Sequence, residues 1–218
     1  MTVEQTLAEL EALGTEQNRK VYQRHGAKPP LFGVSYGNLD KLRKRIKRDH
    51  ALAQQLWASG NHDGRVLATK IAEPAQTDAA LLESWIEDLD NYVLTDAFAQ
   101  LAAASKAGRE RAATWIDSAD EWTSSAGWTV VAIRPHAFED QLGTLIRRVV
   151  NSIHAAPNRT RHAMNNALIA IGILGDPWSE KAMEAATRIG KVEVDHGETG
   201  CVTPDAVAYI RKSRKRKG

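Results

Sequence analysis

The sequence predicts an all-α chain of stacked helix pairs, and three observations predict it. One short unit is written twice: Leu56-Trp57 leads into Asn61-His62-Asp63-Gly64-Arg65-Val66-Leu67-Ala68, and Trp115-Ile116 leads into Glu121-Trp122-Thr123-Ser124-Ser125-Ala126-Gly127-Trp128. In each copy a helix ends on a Trp, a polar break follows, and a second helix opens with polar residues before a run of small apolar ones. Apolar residues recur at helical spacing along nearly the whole chain, and no convincing strand alternation occurs. The second helices recur at intervals of roughly 30 to 40 residues, the range of helical repeats. Such pairs cannot bury their apolar faces alone, so they stack into a HEAT-like helical-repeat solenoid with a concave binding face.

The elements follow in order. Val3 to Leu13 and Glu16 to His25 open the chain, and Ala27-Lys28-Pro29-Pro30-Leu31-Phe32-Gly33-Val34 is an extended link, because each Pro disfavours helix at the residue before it. Asn38 to Arg48 is the next helix, with Asn38 as its N-cap. Ala51 to Trp57 pairs with Gly64 to Ala72, Asp78 to Asp88 with Tyr92 to Ser105, and Gly108 to Ile116 with Trp122 to Arg134, where Pro135 stops the helix. Phe138 to Ile153 and Thr160 to Leu174 flank the turn at Ala155 to Arg159. Asp176-Pro177 starts Trp178 to Ile189 with Pro at the first helical position, and Thr203 and Pro204 mark the start of the last helix in the same way.

A chain of 218 residues is within reach of one domain. The expected division of 1–218 is N-terminal helices and a Pro-rich link (1–36), helical repeats (37–190), then a loop, last helix and basic tail (191–218). Apolar residues at 43% and charged residues at 26% exclude a disordered chain. No apolar run approaches the roughly 18 residues of a membrane span, and the acidic start MTVEQTLAEL lacks the pattern of a signal peptide. Cys201 is the only cysteine, so no intrachain disulfide forms. A cytoplasmic monomer without membrane contact is expected.

Net charge is only +2, but it is unevenly placed. Lys41-Leu42-Arg43-Lys44-Arg45-Ile46-Lys47-Arg48 puts six cations into about two helical turns, and the chain ends Arg211-Lys212-Ser213-Arg214-Lys215-Arg216-Lys217-Gly218. Solvated helix faces and solubilising tails have the same look. Together with Arg147-Arg148, Arg159 and Arg161, these runs favour a polyanionic partner, because neutralising phosphates releases counterions. Nucleic acid is the leading candidate, and a HEAT-like scaffold that binds protein is the alternative.

The segments Leu56 to Ala72, Trp85 to Phe98 and Trp115 to Ile133 resemble the DNA alkylation repair family, the AlkD-like HEAT-repeat DNA glycosylases, over roughly Gly33 to Gly175. The resemblance implies a right-handed superhelix of helix pairs whose basic groove grips duplex DNA. It also implies hydrolysis of the N-glycosidic bond of N3- and N7-alkylated purines, with no metal and no organic cofactor. The family's aromatic residue one helical turn before an essential Asp falls on Tyr92 and Asp96, which makes Asp96 the catalytic candidate. The family's groove Arg falls on Ser125, and its second π contact falls near Ala170. The chain departs from active relatives at both positions, so it resembles either a glycosylase of reduced activity or a non-excising binder of unusual DNA structures. The DNA-binding candidates are Tyr92, Trp122, Ser125, Arg134, Arg147, Arg148, Arg161, Lys44, Arg45, Lys47 and Arg48.

Several residues carry two readings. Trp122 begins a helix, where stacking on a nucleotide is easy, yet large aromatics usually pack in the core. Trp57, Trp85 and Trp115 lie on apolar helical faces and read as core. His62 with Asp63 reads either as a capping pair or as a phosphate contact. Asp195-His196-Gly197-Glu198-Thr199-Gly200-Cys201 gathers reactive side chains, but no zinc-type spacing occurs, and a loop tying the last helix to the repeats is the simpler account.

Overall fold

The computed structural model describes residues 1–215, and these form thirteen α-helices and two short 3-10 turns, with one isolated bridge between Gly14 and Val34. Arg216 and Lys217 of the basic tail lie outside the described residues. Two compact units are present: Met1–Gly108 with Gly197–Thr199, and Arg109–His196 with the chain from Gly200 onward. Among the described residues no helix is long and apolar enough to cross a membrane.

The first unit contains α1 (Val3–Leu13), α2 (Glu16–Arg24), α3 (Tyr36–Ile46), α4 (His50–Ala58), α5 (His62–Ile71), α6 (Ala79–Ile86) and α7 (Tyr92–Ala104). Its helix starts are set by short polar side chains that accept from the third helical N–H: Thr2 in a capping box with Gln5, then Thr15, Ser35, Asp49, Asn61, Asp78 and Asn91. The cap of α3 corrects the sequence expectation. Ser35 accepts from the Asn38 N–H at 3.3 Å, so the helix begins at Tyr36 and Asn38 lies inside it. Its other end comes at Lys47, whose φ of 65° leaves the helical region. Leu56, Leu67, Ile71, Leu82, Leu94 and Phe98 are fully buried and form the apolar centre of the pairs.

Trp57 and Trp85 stack face to face at 4.2 Å with an interplanar angle of 2°. Each closes the first helix of a pair, so the repeated Trp joins one pair to the next. Asn91 occupies the place of Asn61 in a third copy of the unit that begins at Trp85.

The link between α2 and α3 is held from below by Asp63. Its carboxylate is 1% exposed and accepts three backbone N–H groups, from Phe32 at 2.7 Å, Gly33 at 3.1 Å and Val34 at 2.8 Å. Gly33 has φ +78°, and a Cβ there would sit 2.6 Å from the Arg19 nitrogen, so only glycine fits the turn. The neighbouring His62 is 5% exposed and its own N–H donates to the Pro30 carbonyl at 2.9 Å. Neither residue caps a helix, since Asn61 caps α5, and the Asp63 carboxylate braces the link instead.

The second unit takes in α8 (Gly108–Trp115) from Arg109 on, α9 (Glu121–Ile133), α10 (Leu142–Ser152), α11 (Asn158–Ile173), α12 (Trp178–Ile189) and α13 (Ala206–Lys215). Gly127 lets α9 approach the end of α8, since a Cβ there would lie 2.8 Å from the Ile116 nitrogen. The start of α9 is tied to the start of α11: the Glu121 side chain accepts the Arg159 N–H at 2.5 Å, and the Thr160 hydroxyl donates to the Glu121 carbonyl at 3.1 Å. Three expected starts are corrected here. Phe138 belongs to a 3-10 turn, Pro135–Phe138, and α10 begins only at Leu142, after a turn closed by the Gln141 N–H on the Phe138 carbonyl at 2.8 Å. Pro177 is the N-cap of α12 and not its first helical residue. The last helix is capped by Asp205, which accepts the Ala208 N–H at 2.7 Å. Thr203 and Pro204 face other partners: Thr203 pairs with His196, and the Pro204 carbonyl accepts from Asn165.

Candidate nucleic-acid interface

In the first unit the structure brings the predicted pair Tyr92 and Asp96 onto one face of α7, one turn apart. Asp96 is exposed and Tyr92 half-buried. The Tyr92 hydroxyl pairs with Nδ1 of His25, whose ring lies 5.6 Å from the Tyr92 ring. A second tyrosine completes the group. Tyr36, the first residue of α3, keeps 47% of its surface in solvent, and its ring packs at 5.9 Å on that of Tyr22. Tyr22 is fixed in turn, because its hydroxyl donates to the Val34 carbonyl at 2.6 Å.

Burial of part of Tyr36, followed by the nearby charges of Asp96 and Asp63, pushes its phenol above the ordinary tyrosine range. Burial, then Tyr36 and Asp63, does the same for Tyr22. Both phenols therefore stay protonated through neutral pH and remain donors. Sequence reasoning missed His25, Tyr22 and Tyr36: His25 meets Tyr92 from the end of α2, and Tyr36, resting on Tyr22, lies near enough to Asp96 to feel its charge.

The cations of α3 divide into two kinds. Arg45 forms an ion pair with Glu9, and Arg48 donates to the carbonyls of Ala72 at 2.6 Å and Lys70 at 3.2 Å, closing the end of α5. Lys44 and Lys47 are exposed. Arg43, exposed over 43% of its side chain, lies 3.6 Å from Asp40, which also binds Lys70 at 3.1 Å.

In the second unit Trp122 is half-buried in the first turn of α9. Ser125 is 4% exposed, and its hydroxyl donates to the Arg159 carbonyl at 3.4 Å. Arg134 is exposed at the end of α9. Arg147 donates to the Thr144 hydroxyl at 2.9 Å, and Arg148 forms an ion pair with Asp117. Arg161 holds the carbonyls of Glu193 at 2.8 Å and Ala156 at 3.1 Å. Trp57, Trp85, Trp115 and Trp128 are all core residues, each at most 3% exposed.

The segment after α12 is strapped to α11 by side chains. Asn158 exchanges two hydrogen bonds with the Asp195 backbone, both 2.7 Å, and Asn165 reaches the Pro204 carbonyl at 3.0 Å. Between strap and helix lies a cavity of about 1070 Å³ lined by Arg161, Asn165, His196, Cys201 and Asp205 among others. Among the described residues no three His, Cys, Asp or Glu side chains come together as a metal ion would need.

Under the strap, His162 packs edge-on against His196 at 5.3 Å. Burial, then Arg159 and His196, pushes the His162 imidazole down to about 4. Its folded pKa lies below the ordinary value, so between about pH 6.5 and 4 the unfolded chain takes up a proton that the folded chain refuses. Stability attributable to this site is constant above that window and falls as pH drops through it. Thermal midpoints at pH 7 and pH 5 should therefore fall less for His162→Gln than for the unaltered chain. Equal falls would show that His162 is not the titrating group.

Comparison with known proteins gives three findings. A family model described as DNA alkylation repair enzyme matches residues 6–210. Two uncharacterized proteins, from Listeria monocytogenes and Listeria innocua, are 33% and 32% identical over 227 residues, covering 99% of this chain and 99% of each relative. A solved structure superposes with a TM-score of 0.90 at 34% identity, covering 100% of this chain and 95% of the other. That structure is described as a new family of proteins related to the HEAT-like repeat DNA glycosylases with affinity for branched DNA structures.

Proposed function

We propose that this chain, which belongs to the DNA alkylation repair enzyme family and has its HEAT-like helical-repeat fold, binds branched DNA through the phosphate backbone without excising a base. The observation that carries this reading is Ser125. At the position where the family resemblance calls for an Arg on the DNA, the side chain is a buried hydroxyl that donates to the Arg159 carbonyl, so the residue at that position brings no cation of its own. A charge-assisted contact of that kind contributes about 1.5–3 kcal/mol. The second expected aromatic is likewise replaced by the half-buried Ala170.

Asp96 alone is a weak catalyst in this setting. It is exposed, and in water a carboxylate 4 Å from a developing oxocarbenium charge gains only about 1 kcal/mol. Excision needs that carboxylate desolvated beneath a DNA backbone held down over it. The affinity for branched DNA described for the solved relative supports the binding half of the reading.

The test has two arms. Fluorescence anisotropy with a four-way junction, a duplex and a single strand of matched sequence should show junction binding at least about tenfold tighter than duplex, weakening steeply with added salt. Duplex containing N7-methylguanine or N3-methyladenine should release no more base with the unaltered chain than with Asp96→Asn. Base release above that variant would establish a glycosylase. Salt-independent or absent DNA binding would leave the scaffold for protein partners as the better account.

A further inference from the structure

A lone exposed aromatic side chain is ordinary on a protein surface and by itself needs no explanation. Tyr36 differs in how firmly it is presented. The Asp63 carboxylate pins the backbone of Phe32, Gly33 and Val34, Ser35 then caps the helix, and Tyr36 follows as its first residue. Its ring rests on Tyr22, which is itself hydrogen-bonded to Val34. An aromatic surface held this way loses little freedom when a planar ligand stacks on it, and that is the requirement for a stacking platform.

Charge on the same helix gives the platform a direction. At 100° per residue, Arg43 stands seven residues on, within about 20° of the Tyr36 direction, and Lys44 is the next residue round. At 1.5 Å per residue these cations lie about 10–12 Å along the axis, the length of roughly three nucleotides of stacked strand. Asp40 lies between them, but Lys70 and Arg43 both neutralise it. At the Tyr36 end the nearby charges are Asp96 and the buried Asp63, which repel phosphate and leave that end suited to a base. An aromatic followed at strand spacing by cations is the arrangement of single-strand binding surfaces.

We propose that Tyr36 is the residue on which an unpaired base of branched DNA stacks, with its strand running along α3 toward Arg43 and Lys44. The inference rests on the DNA-binding reading above and narrows it, because it assigns the preference for branch points to their unpaired bases and not to their shape alone. Arg45 and Arg48 are held at hydrogen-bond distance by Glu9 and by the end of α5 and stay outside this path, whereas Arg43 stands 3.6 Å from an Asp40 that Lys70 binds more closely.

The experiment places 2-aminopurine at an unpaired position beside a three-way junction and follows its fluorescence and the binding isotherm together. The unaltered chain and Tyr36→Phe should both quench the probe, because either ring stacks. Tyr36→Ala should lose the quenching and bind the gapped junction about tenfold more weakly, while its affinity for fully paired duplex stays within twofold. Arg43→Ala with Lys44→Ala should keep the quenching and lower the slope of log affinity against log salt by about two. Circular dichroism melts of each variant guard against misfolding, and Tyr36→Phe provides a second, fold-neutral comparison. If the unaltered chain binds DNA but Tyr36→Ala binds and quenches as it does, the stacking assignment is overturned and the broader reading survives. If the unaltered chain binds no DNA of any form, both fail. A surface that proves instead to bind protein would show Tyr36→Ala losing that partner with no change in DNA affinity, which also overturns the proposal.

Discussion

Asp63→Ala lowers the thermal midpoint by about 10 °C. The carboxylate is buried and is the acceptor for three consecutive backbone N–H groups, which belong to a link with no ladder of its own. Removing it leaves three buried or half-buried donors without a partner, and each such loss costs about 1–3 kcal/mol. A total near 4 kcal/mol is expected, and for a chain of this size each kcal/mol moves the midpoint by about 2–4 °C. Asp63→Asn separates charge from shape. One of its two terminal atoms becomes a donor, so it opposes either the Val34 N–H or the pair from Phe32 and Gly33, and an intermediate loss follows. Calorimetry of the two variants checks the order. The consequence reaches the DNA surface as well, because the pinned segment ends at Val34, two residues before Tyr36. Asp63→Asn, assayed below its melting range, should weaken junction binding in the same direction as Tyr36→Ala.

What was legible in the sequence was local. The order of the helix pairs follows the apolar spacing, and the Trp that ends each first helix is core because its helical face is apolar, whereas the starts of α5 and α9 lie at His62 and Glu121, earlier than the pattern places them. Where two polar residues competed for one helix start, the pattern pointed to the wrong one, to Asn38 in α3 and to Thr203 in α13. Ser35 and Asn38 both suit an N-cap, and so do Thr203 and Asp205. The link held by Asp63 decides the first, and the engagement of Thr203 by His196 leaves the second to Asp205. The site was half legible for the same reason. Tyr92 and Asp96 share a face by spacing alone, but His25 comes to Tyr92 from the end of α2, and Tyr36 follows a link whose path depends on a buried carboxylate from α5. In a related way, charge counting could not see partners. Arg45, Arg48, Arg148 and Arg161 read as phosphate grips, whereas in the fold they meet Glu9, the end of α5, Asp117 and the strap. A cation's partner is a tertiary property, and composition cannot assign it.

Trp57→Ala is expected to be as damaging as loss of Asp63, by a different route. The indole is 3% exposed and stacked on Trp85 at 4.2 Å, with Phe98 tilted against it at 6.4 Å. Its Nε1 donates to Asp88 at 2.7 Å, and the Arg65 guanidinium lies 5.4 Å over the ring while pairing with Asp88 at 2.9 Å. Truncation removes the transfer free energy of the indole and leaves a cavity between two helix pairs, a combination that costs about 3–5 kcal/mol. The polar part of the network is the smaller share. Asp88 keeps 41% of its side chain in solvent, so water replaces the lost indole donor, and Arg65 retains its carboxylate. Trp57→Phe, which deletes the donor and keeps an aromatic ring on Trp85, should therefore cost only about 1–2 kcal/mol. A double-mutant cycle with Trp85→Ala should return a coupling of about 0.5–1.5 kcal/mol, the value of an aromatic pair beyond its buried area. Denaturant melts of the four chains measure it. Equal losses for Trp57→Ala and Trp57→Phe would place the stability in the Asp88 hydrogen bond, and the repeated Trp would then mark a polar tie between pairs instead of the packing contact that stacks them.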